Sequence, residues 1–252
     1  MMVGMPGQVC QKCGGSGWIV VERDGLSGAE RCDCGQEERT RRLVENAGIP
    51  PLYRDSYFET FHDRGDRQLL ELKNTVMKYV EGYPFALPKP GLLLIGEPGT
   101  GKTHLAVAAL RALIMKGHEG SFCDYQNLLD RIRASYDSNS GSSDREAYRS
   151  ALEADLLLLD DLGAHRVTNW VEDTVTSIVT SRCNNKKALI ATTNLSDPEV
   201  GDRIFERSAS LSAKSDWKVS LVERIGSRAR SRLFEMCRVV RMPPVGDYRM
   251  RK

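Results

Sequence analysis

The stretch GLLLIGEPGTGKT, from Gly91 to Thr103, constrains the fold of this 252-residue chain more than any other. GLLLIG is a short, wholly apolar run, the pattern of a buried strand. It passes directly into GEPGTGKT, which fits G-x-x-x-x-G-K-[ST], and then into KTHLAVAALRALIMKG, which has the character of a helix. A strand, a glycine-rich turn and a helix N-terminus in that order make a cradle for phosphate. Gly96, Gly99 and Gly101 let backbone N–H groups curl around the anion, and the helix start adds its positive end. Lys102 is then expected to reach the β- and γ-phosphates of a nucleotide, and the Thr103 hydroxyl to hold Mg²⁺. The candidate nucleotide contacts are Gly96, Glu97, Pro98, Gly99, Thr100, Gly101, Lys102, Thr103 and His104.

Downstream of this loop, strand-like and helix-like segments alternate. GSFCDY, DLLLLDD, KALIATTN and RVVRM read as strands. NLLDRIRASY, Trp170 to Asn184 and LVERIGSRARSRLFEMC read as helices, and DSNSGSSD and RIFERSASLSAKSDWKVS as polar loops. Such alternation implies an α/β fold with a parallel sheet flanked by helices. In DLLLLDD a buried strand ends in two carboxylates, which need a charge partner. Mg²⁺ supplies one, with Asp160 orienting its ligand shell and Asp161 polarising the attacking water. Many such ATPases carry glutamate in the second place, so the shorter aspartate leaves the hydrolysis rate open. Asn194, at the end of KALIATTN, is expected beside the carboxylates, where it positions water.

Arginines form a further group. Arg224, Arg228, Arg230 and Arg232 lie on the last long helix, and Arg249 lies in GDYRMRK past the last strand. They read either as a solvated basic face or as a source of one guanidinium aimed at a γ-phosphate.

The first 34 residues carry Cys10 and Cys13, then Cys32 and Cys34. Between the pairs, Trp18 to Arg23 reads as a strand and Asp24-Gly25 as a hairpin turn that returns the second pair to the first. A segment this small buries no core of its own, so a structural Zn²⁺ held by four thiolates is the expected staple. A redox dithiol and unconnected thiols are the alternatives. Cys123, Cys183 and Cys237 read as small buried hydrophobes. The start lacks a signal peptide and no run is long enough for a membrane span, which places the chain in the cytoplasm, where disulfides are rare. A net charge of +2 gives no general basic footprint, so nucleic-acid binding needs a local patch. The expected organisation is a cysteine module at 1–36, a linker at 37–62 and a nucleotide-binding domain at 63–252. Gln36 to Asn46 reads as a helix ended by Pro50-Pro51. Leu69, Leu72, Val76 and Val80 mark an amphipathic helix after the linker.

Taken together, GEPGTGKT, LLLLDDLG, TNWVEDTVTSIVTSRCNN, ATTNL, SRLFEMCRVV and DYR make the chain resemble the DnaC/DnaI-type replicative helicase loaders of the AAA+ ATPases, relatives of the IstB transposition ATPases. AGIPPLYRDSYFETF after the cysteines looks like the loader branch. The resemblance implies an AAA+ P-loop NTPase core and ATP hydrolysis at subunit interfaces. It puts Asn194 at the sensor-1 place, Arg249 at the sensor-2 place and Arg232 at the arginine-finger place. ERIGSRARSRL looks one helical turn longer than the usual pattern, which leaves Arg228 as the other finger candidate. The implied partners are a hexameric DnaB-type helicase, gripped by the cysteine module, single-stranded DNA and further copies of the chain, with no membrane. A transposition ATPase that recruits a transposase and a nucleotide-gated adaptor with little hydrolysis are the competing readings. Arg166, Arg182, Lys186 and Lys187, with Trp170 and Tyr136 for stacking, are the suggestive DNA contacts. For the two aromatics a core Trp and a surface Tyr are the simpler reading.

Overall fold

The computed structural model describes residues 10–23, 26–63, 65–135, 142–165, 167–197 and 219–251. The expected turn at Asp24-Gly25, Arg166, Tyr136 and most of the two polar loops lie outside them. The chain divides into two compact units, Met1–Asn46 and Ala47–Lys252.

The first unit is a hairpin and a helix. Strands β1 (Trp18–Arg23) and β2 (Leu26–Arg31) pair antiparallel, from Trp18 opposite Arg31 to Arg23 opposite Leu26. Helix α1 (Asp33–Asn46) begins three residues before the expected start, so that Cys34 lies in its first turn. Asp33 at that end suits the helix dipole. Along α1, Arg42 and Arg41 pair with Glu38 and Arg41 with Glu45, a solvated face of the kind worth a few tenths of a kcal/mol per pair. Among the described residues of this unit only Cys32 is buried.

The second unit is built on a five-stranded parallel sheet of β3 (Gly91–Ile95), β4 (Gly120–Asp124), β5 (Leu156–Asp160), β6 (Ala188–Thr193) and β7 (Cys237–Arg241), in the order β4-β5-β6-β3-β7. The three central strands are buried along their whole length, as both faces are covered; the two edge strands are buried only in part. This is why GLLLI, LLLLD and ALIATT read as continuous apolar runs rather than alternating ones. The covering helices are α2 (Arg67–Gly82), α3 (Lys102–Met115), α4 (Tyr125–Ala134), α5 (Ser142–Glu153), α6 (Asn169–Asn184) and α7 (Leu221–Met236). On α2 the expected stripe of Leu69, Leu72, Val76 and Val80 is buried, together with Tyr79. Asp66 caps this helix by accepting from the amides of Gln68 and Leu69. Because every strand is parallel, all five carboxyl ends lie on one edge of the sheet, where such folds place ligands.

The long helix expected near the end is present as α7, but it is kinked. Gly226 adopts φ 80° and ψ 157° and breaks it. The position suits glycine twice over: φ is in left-handed space, and a Cβ at Gly226 would lie 2.2 Å from Glu172 Oε1 at the start of α6. A correction concerns Arg182, suggested for DNA contact. It is fully buried, and its guanidinium donates to the carbonyls of Ala151 (2.9 Å), Asp155 (3.3 Å) and Ala188, knitting α5, α6 and β6 together. Burial lowers its pKa to about 10. Trp170 is half-buried against the core, with Arg133 over its ring at 5.0 Å. No described helix is long and apolar enough to cross a membrane.

Candidate functional site

The phosphate loop leaves β3 at Gly96 and ends where α3 begins. Gly101 stands at the helix N-cap with φ 92°, and the first bond of the helix runs from Leu105 N–H to the Gly101 carbonyl at 3.1 Å. The amides of Lys102, Thr103 and His104 therefore have no helical carbonyl to bind, the condition for anion capture at a helix start. Gly99 also sits in left-handed space, at φ 75°. A Cβ on Gly101 would meet the Phe61 ring at 2.8 Å, and one on Gly99 would meet the Asp247 carboxylate at 2.1 Å. The loop thus needs glycine for its bends and for what packs on its outer side. Lys102 is only 6% exposed, and its ammonium donates to the Glu97 carbonyl at 2.8 Å. Burial lowers its pKa, as expected for an ammonium waiting for an anion.

Asp160, at the end of β5, is 5% exposed. Its Oδ1 accepts from the Thr103 hydroxyl at 2.9 Å and from the Thr192 hydroxyl on β6 at 2.6 Å. Burial holds its carboxyl above the usual range against the pull of the Thr192 bond, with the Asp161 charge adding to the rise. A buried carboxylate that shares a hydroxyl with the phosphate loop is a fitting partner for a divalent cation. Asp161 differs in kind from its neighbour. Its backbone is left-handed, φ 55°, a region aspartate tolerates, and its amide donates to Thr192 Oγ1 at 3.0 Å. The side chain is exposed at the carboxyl edge of the sheet. Asn194 is the exposed residue immediately after β6, whose Thr193 lies opposite Ile95, the last residue before the loop.

Several contributors lie outside the sequence motifs. Tyr53 ends a 3-10 helix (Pro51–Tyr53); burial raises its pKa, helped by the nearby charges of Asp160 and Asp161. Phe61 packs on Gly101 and edge-on against His104, ring centres 5.5 Å apart. The His104 ring bonds to the Tyr57 carbonyl at 2.9 Å, so what it offers the loop is its main-chain amide. A cavity of about 690 Å³ opens beside the loop, lined by Glu59, Phe61, His62, Asp63, Lys73 and Tyr248. Residues 47–62, expected as linker, belong to the second unit. The signal for this is present in the sequence: Tyr53, Tyr57, Phe58 and Phe61 are too dense in aromatics for a solvated tether.

The arginines separate into two kinds. Arg224 donates to the His165 carbonyl at 3.3 Å. Arg230 makes two bonds of 2.6 Å to the buried Asp197 carboxylate, and its guanidinium also lies over Phe234. Both are spent within the chain. Arg228 and Arg232 are exposed, one turn apart, and Arg232 bonds to Glu235 at 2.7 Å. Arg249 lies in a second 3-10 helix (Tyr248–Arg251) and bonds to Asp247.

In the first unit the hairpin brings the cysteines together. The Sγ atoms of Cys10, Cys13, Cys32 and Cys34 all lie within 4.8 Å of one another, with Cys10–Cys32 at 3.8 Å and Cys13–Cys34 at 3.4 Å. Zinc–sulfur bonds of about 2.3 Å give a tetrahedron with edges of about 3.8 Å, so the four thiols fit one zinc ion. Gly17, at φ 75°, turns its amide to Cys13 Sγ at 3.4 Å. Desolvation raises the Cys13 thiol, but the amide bond from Gly17 and the thiol of Cys34 outweigh it and bring its pKa down to about 6. Cys34 is pushed up to about 12, first by Cys13.

Both the sequence and this geometry have counterparts among known proteins. The profile of the family described as IstB-like ATP binding protein matches residues 38–213. The replicative helicase loader DnaC of Escherichia coli K12 is 25% identical over 173 residues, 67% of this chain and 69% of that protein. The phage-like element PBSX protein XkdC of Bacillus subtilis 168 is 27% identical over 221 residues, 78% of each. The crystal structure of the DnaC helicase loader aligns with a TM-score of 0.61 at 30% identity, covering 77% of this chain and 99% of that one.

Proposed function

The chain belongs to the IstB-like ATP-binding family, in its DnaC-type AAA+ branch, and from that premise we propose that it is an ATP-driven loader of a hexameric DnaB-type replicative helicase onto single-stranded DNA. The observation that carries the reading is the Thr103–Asp160 hydrogen bond of 2.9 Å, beside loop amides that have no helical partner. It joins the phosphate cradle to a buried carboxylate, the pairing a Mg²⁺–ATP complex requires.

In this reading the loop amides from Gly99 to Thr103 bind the phosphates, and Lys102 exchanges the Glu97 carbonyl for β- and γ-oxygens. Thr103 and Asp160 hold the magnesium, which when bound neutralises charge on the transferring phosphoryl group. Asp161 polarises the attacking water and Asn194 positions it. Arg249 reaches the phosphates from the same chain, and Arg232 serves a neighbouring copy's ATP, with Arg228 as the alternative. The exposure of both, against the internal engagement of Arg224 and Arg230, favours this pair as the source of the finger. The cavity beside the loop takes the base, with Phe61 and Tyr248 on its walls. The first unit, stapled by zinc on its four cysteines, docks the helicase, while the ATPase unit contacts DNA and other copies. ATP turnover then releases the loader.

Two assays test this. ATP turnover with single-stranded DNA is measured for wild type, Lys102→Ala, Arg232→Ala and Arg228→Ala. Loss in the lysine variant and in one arginine variant supports an ATPase with a finger in trans; unchanged rates sink it. A pulldown with the helicase, with and without ATP, tests the partner. Capture of a transposase instead would favour the transposition reading.

A further inference from the structure

The segment after β7 carries a carboxylate to which the ATPase mechanism gives no role. From Met242 the chain runs back over the phosphate loop. The Met242 amide donates to the Ile95 carbonyl at 2.8 Å, and the Tyr248 amide donates to the Gly99 carbonyl at 2.9 Å. Between these two anchors Asp247 lies on Gly99 so closely that a Cβ there would come within 2.1 Å of Oδ1. A carboxylate pressed on a loop built for phosphate is electrostatically adverse unless its charge is answered. Arg249 answers it. Its amide donates to Asp247 Oδ1 at 2.8 Å, its Nε to the same oxygen at 3.2 Å and its Nη2 to Oδ2 at 3.3 Å. Through Asp247 and the Tyr248 amide the Arg249 side chain is therefore tethered to the Gly99 segment of the phosphate loop.

We propose that Asp247 is the positioning residue for Arg249: anchored on the side-chain-free face of Gly99, it fixes the guanidinium where the γ-phosphate of ATP arrives. The proposal rests on the ATP-binding reading. A long, exposed arginine explores many rotamers, and a carboxylate that takes Nε and one Nη removes most of that freedom before the ligand binds, as carboxylates do for metal-binding histidines. Because the γ-phosphate distinguishes ATP from ADP, the role is read in the preference between the two nucleotides and not in affinity alone.

The test is calorimetric titration of the full chain with Mg²⁺–ATP and Mg²⁺–ADP, for wild type, Asp247→Asn, Asp247→Glu, Arg249→Ala and the Asp247→Asn/Arg249→Ala double variant. Arg249→Ala is expected to cut the ATP-over-ADP preference by about tenfold, the scale of one charge-assisted hydrogen bond. Asp247→Asn should cut it by a similar factor with ADP affinity unchanged, Asp247→Glu should restore part of it, and the double variant should be no worse than Arg249→Ala. If Asp247→Asn weakens both nucleotides equally or leaves the preference intact, or if the two losses multiply, Asp247 is only a packing residue and the proposal is overturned. Wild-type protein that bound neither nucleotide would overturn the ATP reading itself, and this proposal with it.

Discussion

The two units hold themselves together by opposite means. In Ala47–Lys252 three sheet strands are buried from end to end, and α3 buries ten residues between them and solvent. In Met1–Asn46 a single cysteine is buried among the described residues, and Trp18 and Val20 stand exposed on the hairpin. Packing accounts for the larger unit; a metal on four thiols is what can account for the smaller. Sequence therefore constrains them differently. A core tolerates many apolar choices at each position, whereas four ligands and the glycine turns behind them tolerate almost none.

Disabling the proposed zinc site puts this contrast under the most strain. Chelation, or Cys10→Ser with Cys13→Ser, should abolish the structure of residues 10–46 while the larger unit keeps its melting transition, as read by amide hydrogen exchange on each unit. Loss of protection in both units would refute the contrast. Next in size is a core truncation: Leu158→Ala in β5 should cost about 2–5 kcal/mol in denaturant unfolding of the larger unit and leave zinc content unchanged. Lys102→Ala comes third, lowering ATP affinity on the order of a hundredfold through loss of a phosphate-bound ammonium, with unfolding little affected.

The smallest effect concerns Asp160, and its sign is the point of interest. Its pKa in the folded protein is raised, chiefly by burial. The folded state then holds the proton more tightly than the unfolded chain, so the stability associated with this group is present at low pH. It is lost as pH rises from the ordinary carboxylate value through the raised one. Asp160→Asn should therefore melt no lower than wild type at neutral pH without nucleotide, while losing the stabilisation that Mg²⁺–ATP gives wild type. A marked fall in the melting temperature without nucleotide would show that the carboxylate serves the fold rather than the ligand.

Much of the larger unit was legible because its signals are local. GEPGTGKT sits between a strand and a helix, and LLLLDD ends with its first carboxylate buried and its second exposed. The four cysteines converge because the hairpin pairs Trp18 with Arg31 and brings the chain on either side together. What escaped was set by tertiary approach. Nothing near Gly99 announces that Asp247, almost 150 residues on, will lie against it, or near Gly101 that Phe61 will. Arg182 reads as one more basic surface residue, yet it caps backbone carbonyls in the core. The break at Gly226 is hinted at by a glycine within a helix, but the Glu172 side chain that would meet any Cβ there lies on another element.

The proposed function divides the labour between the two units: the cysteine unit to grip a helicase, the packed unit to handle ATP. Co-sedimentation of the full chain with a hexameric DnaB-type helicase, before chelation, after it, and after zinc is returned, tests that division. The expected sequence is capture, loss of capture with ATP binding intact, and recovery. Undiminished capture by the metal-free protein would show that the cysteine unit is not the grip.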